Sequence, residues 1–285
     1  MSNPKNTYQL LDSGNFEKLE QVGRYRLIRP SPQAIWQPHR PKLWHTADAH
    51  YRRSSSGGGS WAFKNKLPDH WHIQYGGLTL KIKLTNFGHL GIFAEQAENW
   101  DWIRAQIAAT HQKPVRVLNT FAYTGGSSLA AAQAGAEVVH LDAARGIVSW
   151  ARENAALSGL DGRPIRWIVD DVSKFVAREI RRGNQYDGII LDPPSFGRGK
   201  KGEVWKFEDD LPKLLDMCRQ ILSPNPRFVL LSAHTPGFTA LALENLLADM
   251  MRGFSGKLSS MEMTIPEADG GRLLPSGTMA RWEKA

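Results

Sequence analysis

Residues 115–142 read VRVLNTFAYTGGSSLAAAQAGAEVVHLD, and this stretch decides the fold. An apolar strand pattern at Val115–Asn119 leads into a glycine-containing turn, a helix of small residues at Ser127–Ala134 and a second strand pattern at Glu137–Asp142. Strand, helix and strand in this order predict two parallel strands joined by a crossover helix.

The alternation of strands and helices continues along the rest of the chain. Further strand patterns lie at Ile165–Asp170, Gly188–Asp192 and Phe228–Ala233, with Leu258–Ile265 and Met279–Trp282 as a candidate edge hairpin. Helical patterns lie at Arg145–Ser158, Val172–Arg182, Gly237–Met251 and Leu211–Leu222, the last with Pro212 in its first turn. Near-continuous apolar strands between helices predict an α/β protein with a doubly wound, mostly parallel sheet covered on both faces.

Open α/β sheets bind their ligands beyond the carboxyl ends of the strands, so these ends are the first places to look for a site. The first strand runs into Phe121–Gly126, FAYTGG, where glycine lets the backbone approach a ligand and the next helix offers free N–H groups. This turn is not GxGxxG, which disfavours a dinucleotide and an oxidoreductase. The alternative is that Gly125 and Gly126 only make a tight turn.

The next two strand ends carry carboxylates. Asp142 is placed to accept hydrogen bonds from ribose hydroxyls, and the alternative is that it caps the helix that begins at Arg145. Asp170 and Asp171 follow the third strand, where they either cap a helix or contact an adenine amino group.

The fourth strand ends in the most specific motif of the chain, LDPPSF at residues 191–196. Two consecutive prolines hold the backbone extended and expose a carbonyl that no neighbouring strand can use. The aromatic ring of Phe196 then either faces a planar group or lies in the core.

Together these motifs resemble the class I S-adenosylmethionine-dependent methyltransferases, over about residues 114–285. The motifs F-x-Y-T-G-G and LDPPSF are similar to those of the large-subunit (23S) ribosomal RNA cytosine-5/guanine-N7 methyltransferase group. Gly88–Trp100 resembles the linker before the catalytic domain in that group, and Gly271–Gly277 with Ala280–Trp282 resembles the ending of a bacterial subgroup. The resemblance implies a class I, Rossmann-like methyltransferase domain with a smaller β-rich N-terminal domain.

The resemblance also implies roles for the residues that match these motifs. The cofactor-binding positions for S-adenosyl-L-methionine are Phe121, Tyr123, Thr124, Gly125 and Gly126 at the methionine part, Asp142 at the ribose, Asp171 and Val172 at the adenine, and Phe93 and Gln96 closing the pocket from the linker. The acceptor side, with the catalytic residues, is formed by Asp192, Pro193, Pro194 and Phe196. No metal is implied, and the pair His70 and His72 lies without a carboxylate at useful spacing.

The absence of a cysteine at one position indicates which kind of atom accepts the methyl group. Cytosine-5 methylation uses an activated cysteine, which in the related enzymes lies just after the fifth strand. Here that place reads LSAHTPG, at Leu231–Gly237. The only thiol, Cys218, lies on the apolar face of its predicted helix, where we expect a small buried side chain. Methylation at nitrogen or oxygen is therefore favoured over carbon, with nitrogen first.

Two further features near the motifs have open roles. His234 either takes a proton or contacts the acceptor, or it is structural. The loop Gly197–Gly202, GRGKKG, is a lid, a phosphate contact or a solvated basic loop.

The composition excludes several classes of protein. The chain has 285 residues, of which 41% are hydrophobic and 22% charged, which is typical of a globular protein. A single cysteine excludes a disulfide framework. No apolar run approaches the roughly 18–20 residues of a membrane span. The polar start MSNPKNTYQL is not a signal peptide, so we expect no membrane association and a cytoplasmic location.

The positive charge is concentrated in one part of the chain. The net charge is +8, and residues 1–113 hold 15 Lys and Arg against 8 Asp and Glu. We therefore predict two domains: a basic, aromatic-rich, mainly β domain with linker at residues 1–113 and a methyltransferase domain at residues 114–285. Such a charge distribution, with Arg24, Arg26, Lys81 and Lys83 on predicted strands, favours RNA as the partner. A protein or small-molecule methyltransferase and a non-catalytic RNA-binding relative are the alternatives, and the oligomeric state stays open.

Overall fold

The structure is a computed structural model that describes residues 7–54, 58–110, 114–198 and 204–285. The chain forms two compact units. The first contains Met1–Ala97 and Thr264–Ser276, and the second contains Glu98–Met263 and Gly277–Ala285. The division falls earlier than the boundary predicted between residues 113 and 114, since Ile103 and Ile107 of the preceding helix are buried in the core of the second unit. The assignment of a role to each part stays a prediction.

The first unit is built mainly of strands. Its elements are β1 (Tyr8–Gly14), β2 (Glu17–Val22), β3 (Tyr25–Pro30), α1 (Pro41–Trp44), β4 (Ala49–Arg53), β5 (Gly59–Phe63), β6 (Trp71–Tyr75) and β7 (Leu78–Ile82). Strands β1 to β5 form one sheet in chain order, antiparallel except for the parallel pair β3 and β4, and β6 and β7 form a separate hairpin. In β7 buried and half-buried residues alternate, as the period-two pattern of LTLKI predicts.

A buried polar network joins the return segment 264–276 to β1. Asp12, His39 and Glu267 each offer a potential metal-ligating atom within 4.8 Å of the others. Asp12, however, accepts hydrogen bonds from three backbone amides and from the Trp44 indole. Glu267 accepts one from the Ser13 hydroxyl at 2.6 Å. The oxygens already have donors, so these residues serve as a structural network.

The alternating elements lie in the second unit, except for the end of β15 and the start of β16, which belong to the first unit. In chain order they are α2 (Ala97–Ala108), β8 (Arg116–Thr120), α3 (Gly126–Gln133), β9 (Glu137–Asp142), α4 (Arg145–Leu157), β10 (Ile165–Val169), α5 (Val172–Arg182), β11 (Gly188–Leu191), β12 (Phe196–Arg198), β13 (Val204–Lys206), α6 (Phe207–Gln220), β14 (Phe228–Ala233), α7 (Ala240–Met250), β15 (Gly256–Pro266) and β16 (Leu273–Lys284).

Seven of these strands form one sheet in the order β10-β9-β8-β11-β14-β16-β15. The strands from β10 to β14 are parallel, and β16 runs antiparallel to β14. Alternate residues of each strand enter different cores: Ile189 and Leu191 pack in one, with α5, α6 and α7, and Ile190 packs in the other, with α2 and α3. The predicted doubly wound, mostly parallel α/β fold is therefore confirmed.

Helix α6 begins well before its predicted start. Helix α6 starts at Phe207 instead of Leu211, so Pro212 lies inside the helix and the expectation that it occupies the first turn is wrong. The acidic first turn explains the earlier start. Asp210 accepts a hydrogen bond from the Lys206 amide at 2.9 Å, and carboxylates are stabilised near a helix N-terminus. Among the described helices, none has the length and apolar character needed to cross a membrane.

Candidate cofactor and acceptor site

The register of the parallel strands brings the predicted motifs to one edge of the sheet. Thr120, the last residue of β8, pairs with Leu141 of β9 on one side and with Leu191 of β11 on the other. Phe121, Asp142 and Asp192 each follow directly, so the three motifs start at the same level.

The loop after β8 has an unusual backbone. Phe121 and Tyr123 adopt positive φ angles of 53° and 49°, and Gly125 has a φ of 96°. Left-handed conformations at non-glycine residues cost about 1–3 kcal/mol each, and strain of this kind clusters at functional sites. Gly126 is required for another reason, because a Cβ there would lie 2.3 Å from the Trp100 ring. The alternative that Gly125 and Gly126 only make a tight turn therefore explains only part of the motif Phe121–Gly126.

Asp142 is held by backbone donors from two sides. Its Oδ2 accepts from the Tyr123 amide at 3.0 Å and its Oδ1 from the Ala144 amide at 2.9 Å. The N-cap of α4 is Ala144, so the alternative that Asp142 is the N-cap is wrong. Burial raises the pKa of the Asp142 carboxyl, and these two amides oppose the shift. A carboxylate has about four acceptor positions, so a partly desolvated charge here has room for further donors.

A buried polar network lies beneath this loop. The Asn119 amide donates to the Ser128 hydroxyl at 2.9 Å, and Ser128 Oγ lies 2.9 Å from His140 Nδ1. Asn154 donates to the Thr124 carbonyl at 2.9 Å. Burial lowers the pKa of His140 to about 3, so the imidazole is neutral at physiological pH. The network supports the strained loop from inside the sheet.

The acceptor motif is more exposed. The Ser232 hydroxyl donates to Asp192 Oδ1 at 2.8 Å, and His234 Nδ1 lies 3.6 Å from the same oxygen. Pro193 is buried, whereas Pro194 is exposed. The side chain of Phe196 is 52% exposed, which rules out the alternative that it is a core aromatic.

An aromatic residue that the sequence reading did not single out joins the two motifs. Trp205 lies on β13, which pairs with β12 in a short hairpin. Its indole N–H donates to the Pro194 carbonyl at 2.7 Å, and its ring centroid lies 5.2 Å from that of Phe121. Most of the predicted basic loop Gly197–Gly202 lies outside the described residues.

The remaining predicted positions have local structural partners. Asp171 caps α5 by accepting from the Lys174 amide at 2.9 Å, and Val172 is buried in the core of the second unit. In the first unit, Phe93 precedes the 3-10 turn Ala94–Gln96, and Gln96 is buried. Contacts of these four residues with a cofactor stay a prediction.

Comparison with known protein families shows which family has this arrangement. A model of the S-adenosylmethionine-dependent methyltransferases matches residues 21–246. The chain belongs to this family. A crystal structure of a SAM-dependent methyltransferase from Agrobacterium tumefaciens is 42% identical, with a TM-score of 0.93, over 100% of this chain and 92% of that one. The resemblance in the motifs is therefore confirmed at the level of the family.

Curated relatives of this methyltransferase are named as ribosomal RNA methyltransferases. The ribosomal RNA large subunit methyltransferase I of Aeromonas hydrophila is 36% identical over 126 residues, 44% of this chain and 30% of the relative. The ribosomal RNA large subunit methyltransferase K/L of Shewanella sp. strain MR-4 is 32% identical over 156 residues, 54% of this chain and 21% of the relative. The matches thus span less than a third of these relatives.

The single thiol of the methyltransferase lies away from the strand ends. Cys218 is fully buried on α6, and burial raises its pKa to about 12. The prediction of a small buried side chain is confirmed. Just after β14, in the stretch where the resemblance implies the cysteine of the cytosine-5 enzymes, His234 lies beside Asp192.

Proposed function

We propose that this methyltransferase transfers the methyl group of S-adenosylmethionine to a nitrogen atom of a base in structured RNA, most specifically ribosomal RNA, in the cytoplasm. The observation that carries the proposal is the common edge of Asp142 and the Asp192-Pro193-Pro194 motif, with the exposed ring of Phe196 beside it. A cofactor side and an acceptor side then lie next to each other.

The residues at the first two strand ends suit the cofactor. Asp142 has acceptor positions for ribose hydroxyls, and left-handed residues such as those of the loop occur in backbone turns that bind ligands through their N–H groups. The sulfonium of the cofactor supplies the electrophilic methyl group, so the protein has to bind, orient and exclude water. The contacts of Phe121, Tyr123 and Thr124 with the methionine part are implied by the family resemblance and belong to this proposal.

The acceptor side suits an amine. Asp192 and the Pro193 carbonyl can accept the hydrogens of an exocyclic amine, which directs the nitrogen lone pair to the methyl group. The Pro194 carbonyl already accepts from Trp205, so it is the less suitable partner. The exposed Phe196 ring can stack on an extruded base, and such stacking contributes about 1–3 kcal/mol. Positioning of this kind is the main contribution a protein makes to such a transfer.

Nitrogen is favoured over carbon because the chain lacks an activated thiol. Carbon methylation at cytosine C5 requires a thiolate that adds to the ring. Cys218 is the only cysteine of the sequence, and it is buried with a pKa raised to about 12. It is therefore neither accessible nor ionised at physiological pH.

RNA is favoured as the substrate because of the charge of the first part and the names of the relatives. Arg24 and Lys83 are exposed at the surface of the first unit, while Arg26 donates to Gln21 and Thr46. Exposed cations in a basic region are suited to phosphate contacts, which supply most of the non-specific affinity for nucleic acids.

The direct test is a transfer reaction with labelled S-adenosylmethionine. We expect the purified protein to label unmodified ribosomal RNA, and nucleoside mass spectrometry to find the methyl group on a base nitrogen. Label on C5 of a pyrimidine would contradict the nitrogen assignment. Label transferred to protein but not to RNA would replace the RNA substrate with a protein side chain. Calorimetry without heat from S-adenosylmethionine would contradict both enzyme functions.

A further inference from the structure

We infer that Trp205 is a positioning residue for the acceptor side of the site, which it connects to the cofactor loop. The inference rests on the proposed function and names a residue that determines where the acceptor base binds. Its basis is that one indole makes two contacts: a hydrogen bond to the Pro194 carbonyl at 2.7 Å and a ring contact with Phe121 at 5.2 Å.

The hydrogen bond restrains a backbone torsion that the two proline rings of the motif leave free. The rings of Pro193 and Pro194 hold both φ angles near −65°. The residue before a proline is confined to the extended region, which sets ψ of Asp192 and of Pro193. The rotation ψ of Pro194 has no such restraint. It moves the Pro194 carbonyl, and this is the carbonyl that Trp205 holds.

Together with the two torsions of Ser195, this torsion sets where Phe196 lies relative to Asp192. The chain leaves Pro194 in the direction that ψ sets, and Phe196 is two residues further on. The hairpin adds a second restraint, because Gly197 pairs with Trp205 and Phe196 with Lys206. Both restraints limit the movement of the exposed ring that is proposed to stack on the base relative to the carboxylate that is proposed to hold the amine.

The ring contact connects this arrangement to the cofactor side. Phe121 has a positive φ of 53°, a strained conformation that needs support from its surroundings. Trp205 packs on Phe121 at an interplanar angle of 56°, and both rings lie against the core of the second unit. The indole thus has two separable functions: its N–H serves the acceptor side, and its ring serves the cofactor loop.

Two substitutions separate these functions. Trp205→Phe keeps an aromatic ring against Phe121 and removes the N–H donor. We expect an affinity for S-adenosylmethionine close to that of the wild type, and a loss of about tenfold in kcat/KM for ribosomal RNA. Trp205→Ala also removes the ring, so we expect the cofactor affinity to fall as well.

The matched control is Trp102→Phe. Trp102 also donates its indole N–H to a side chain, Glu283 Oε2 at 3.3 Å, and its ring also packs on a phenylalanine, Phe228 at 5.5 Å. It lies on α2, outside the candidate site, and we expect its substitution to leave both cofactor affinity and kcat/KM unchanged.

Calorimetry with S-adenosylmethionine, transfer kinetics and thermal unfolding of the full chain decide the outcome. The inference is supported if Trp205→Phe loses kcat/KM selectively and its melting temperature equals that of the control Trp102→Phe. Wild-type kcat/KM in this variant overturns it. Parallel losses of cofactor affinity, kcat/KM and melting temperature also overturn it, since they indicate a merely structural residue. Failure of the wild type to bind the cofactor would contradict the proposed function instead.

Discussion

The two halves of the candidate site are built differently. The cofactor half, at the ends of β8 and β9, has a strained backbone that is supported by a buried network, which includes Asn119, Ser128 and His140. The acceptor half, at the ends of β11 and β14, exposes Phe196 to solvent. A rigid half suits a small ligand of constant shape, while an open half suits a macromolecule whose base has to enter from outside.

The largest expected effect tests the acceptor half alone. Asp192→Asn keeps the shape of the side chain and removes its charge. We expect kcat to fall by about 10²–10³-fold, the size seen when a preorganised electrostatic contact is lost, with the cofactor affinity unchanged. Single-turnover transfer and calorimetry measure the two quantities. Ser232→Ala, which removes only the donor to Asp192 Oδ1, is the milder comparison. Full activity of the Asn variant would remove Asp192 from the mechanism.

The next effect tests the cofactor half. Asp142→Asn should lower the affinity for S-adenosylmethionine about 10- to 100-fold, because hydrogen bonds to a charged group contribute about 1.5–3 kcal/mol.

The Asp142 carboxylate also makes the cofactor affinity depend on pH. Burial raises the Asp142 pKa, and the ribose donors favour the ionised form. The wild-type affinity should therefore decrease as the pH falls through this pKa, whereas the Asn variant should show a flatter profile. Equal profiles would contradict the ribose assignment.

A smaller effect concerns the exposed ring. Phe196→Leu keeps an apolar side chain and removes the flat face. We expect the KM for ribosomal RNA to rise about tenfold, within the range of about 1–3 kcal/mol for stacking, and the cofactor affinity to stay constant. Titrations with a free nucleobase analogue in place of RNA show whether the lost contact is the stacking itself. An unchanged KM would leave Phe196 as a hairpin residue without contact to the base.

The smallest effect lies outside the site, in the first unit. Combined substitution of Arg24, Arg26, Lys81 and Lys83 by Gln should weaken RNA binding by reducing the number of phosphate contacts. The salt dependence should flatten by about 0.7–0.9 in logarithmic slope per lost contact. Filter binding at several salt concentrations measures this slope. Unchanged RNA affinity would mean that the basic composition of residues 1–113 does not serve RNA.

The same division between the halves explains what the sequence could predict. Strand ends follow from local apolar patterns, so Phe121, Asp142 and Asp192 were found, and their common level follows from the parallel register. Trp205 was missed because its partners, Pro194 and Phe121, are distant in sequence and become neighbours only in the fold.

Buried polar residues were missed for a related reason. His140 lies within an apolar strand, where a single polar residue does not change the pattern, and its role depends on Ser128 from a neighbouring helix. The sequence places the start of α6 too late because Pro212 is typical of a first turn, whereas the acidic residues before it determine the N-terminus. In this protein, the sequence therefore predicts which residues lie at the strand ends, but it does not predict which side chains contact one another.

The return segment 264–276 has a consequence for the order in which the protein folds. It contributes Ala268 to the core of the first unit, with Leu11 and Leu19, and Glu267 bonds to Ser13. During synthesis, the N-terminal sheet is made before the strands β8 to β14, but its last packing residues leave the ribosome only after those strands. Domains generally fold as they emerge, from the N-terminus onward. In this protein, the first unit can be completed only after most of the second unit has been synthesised.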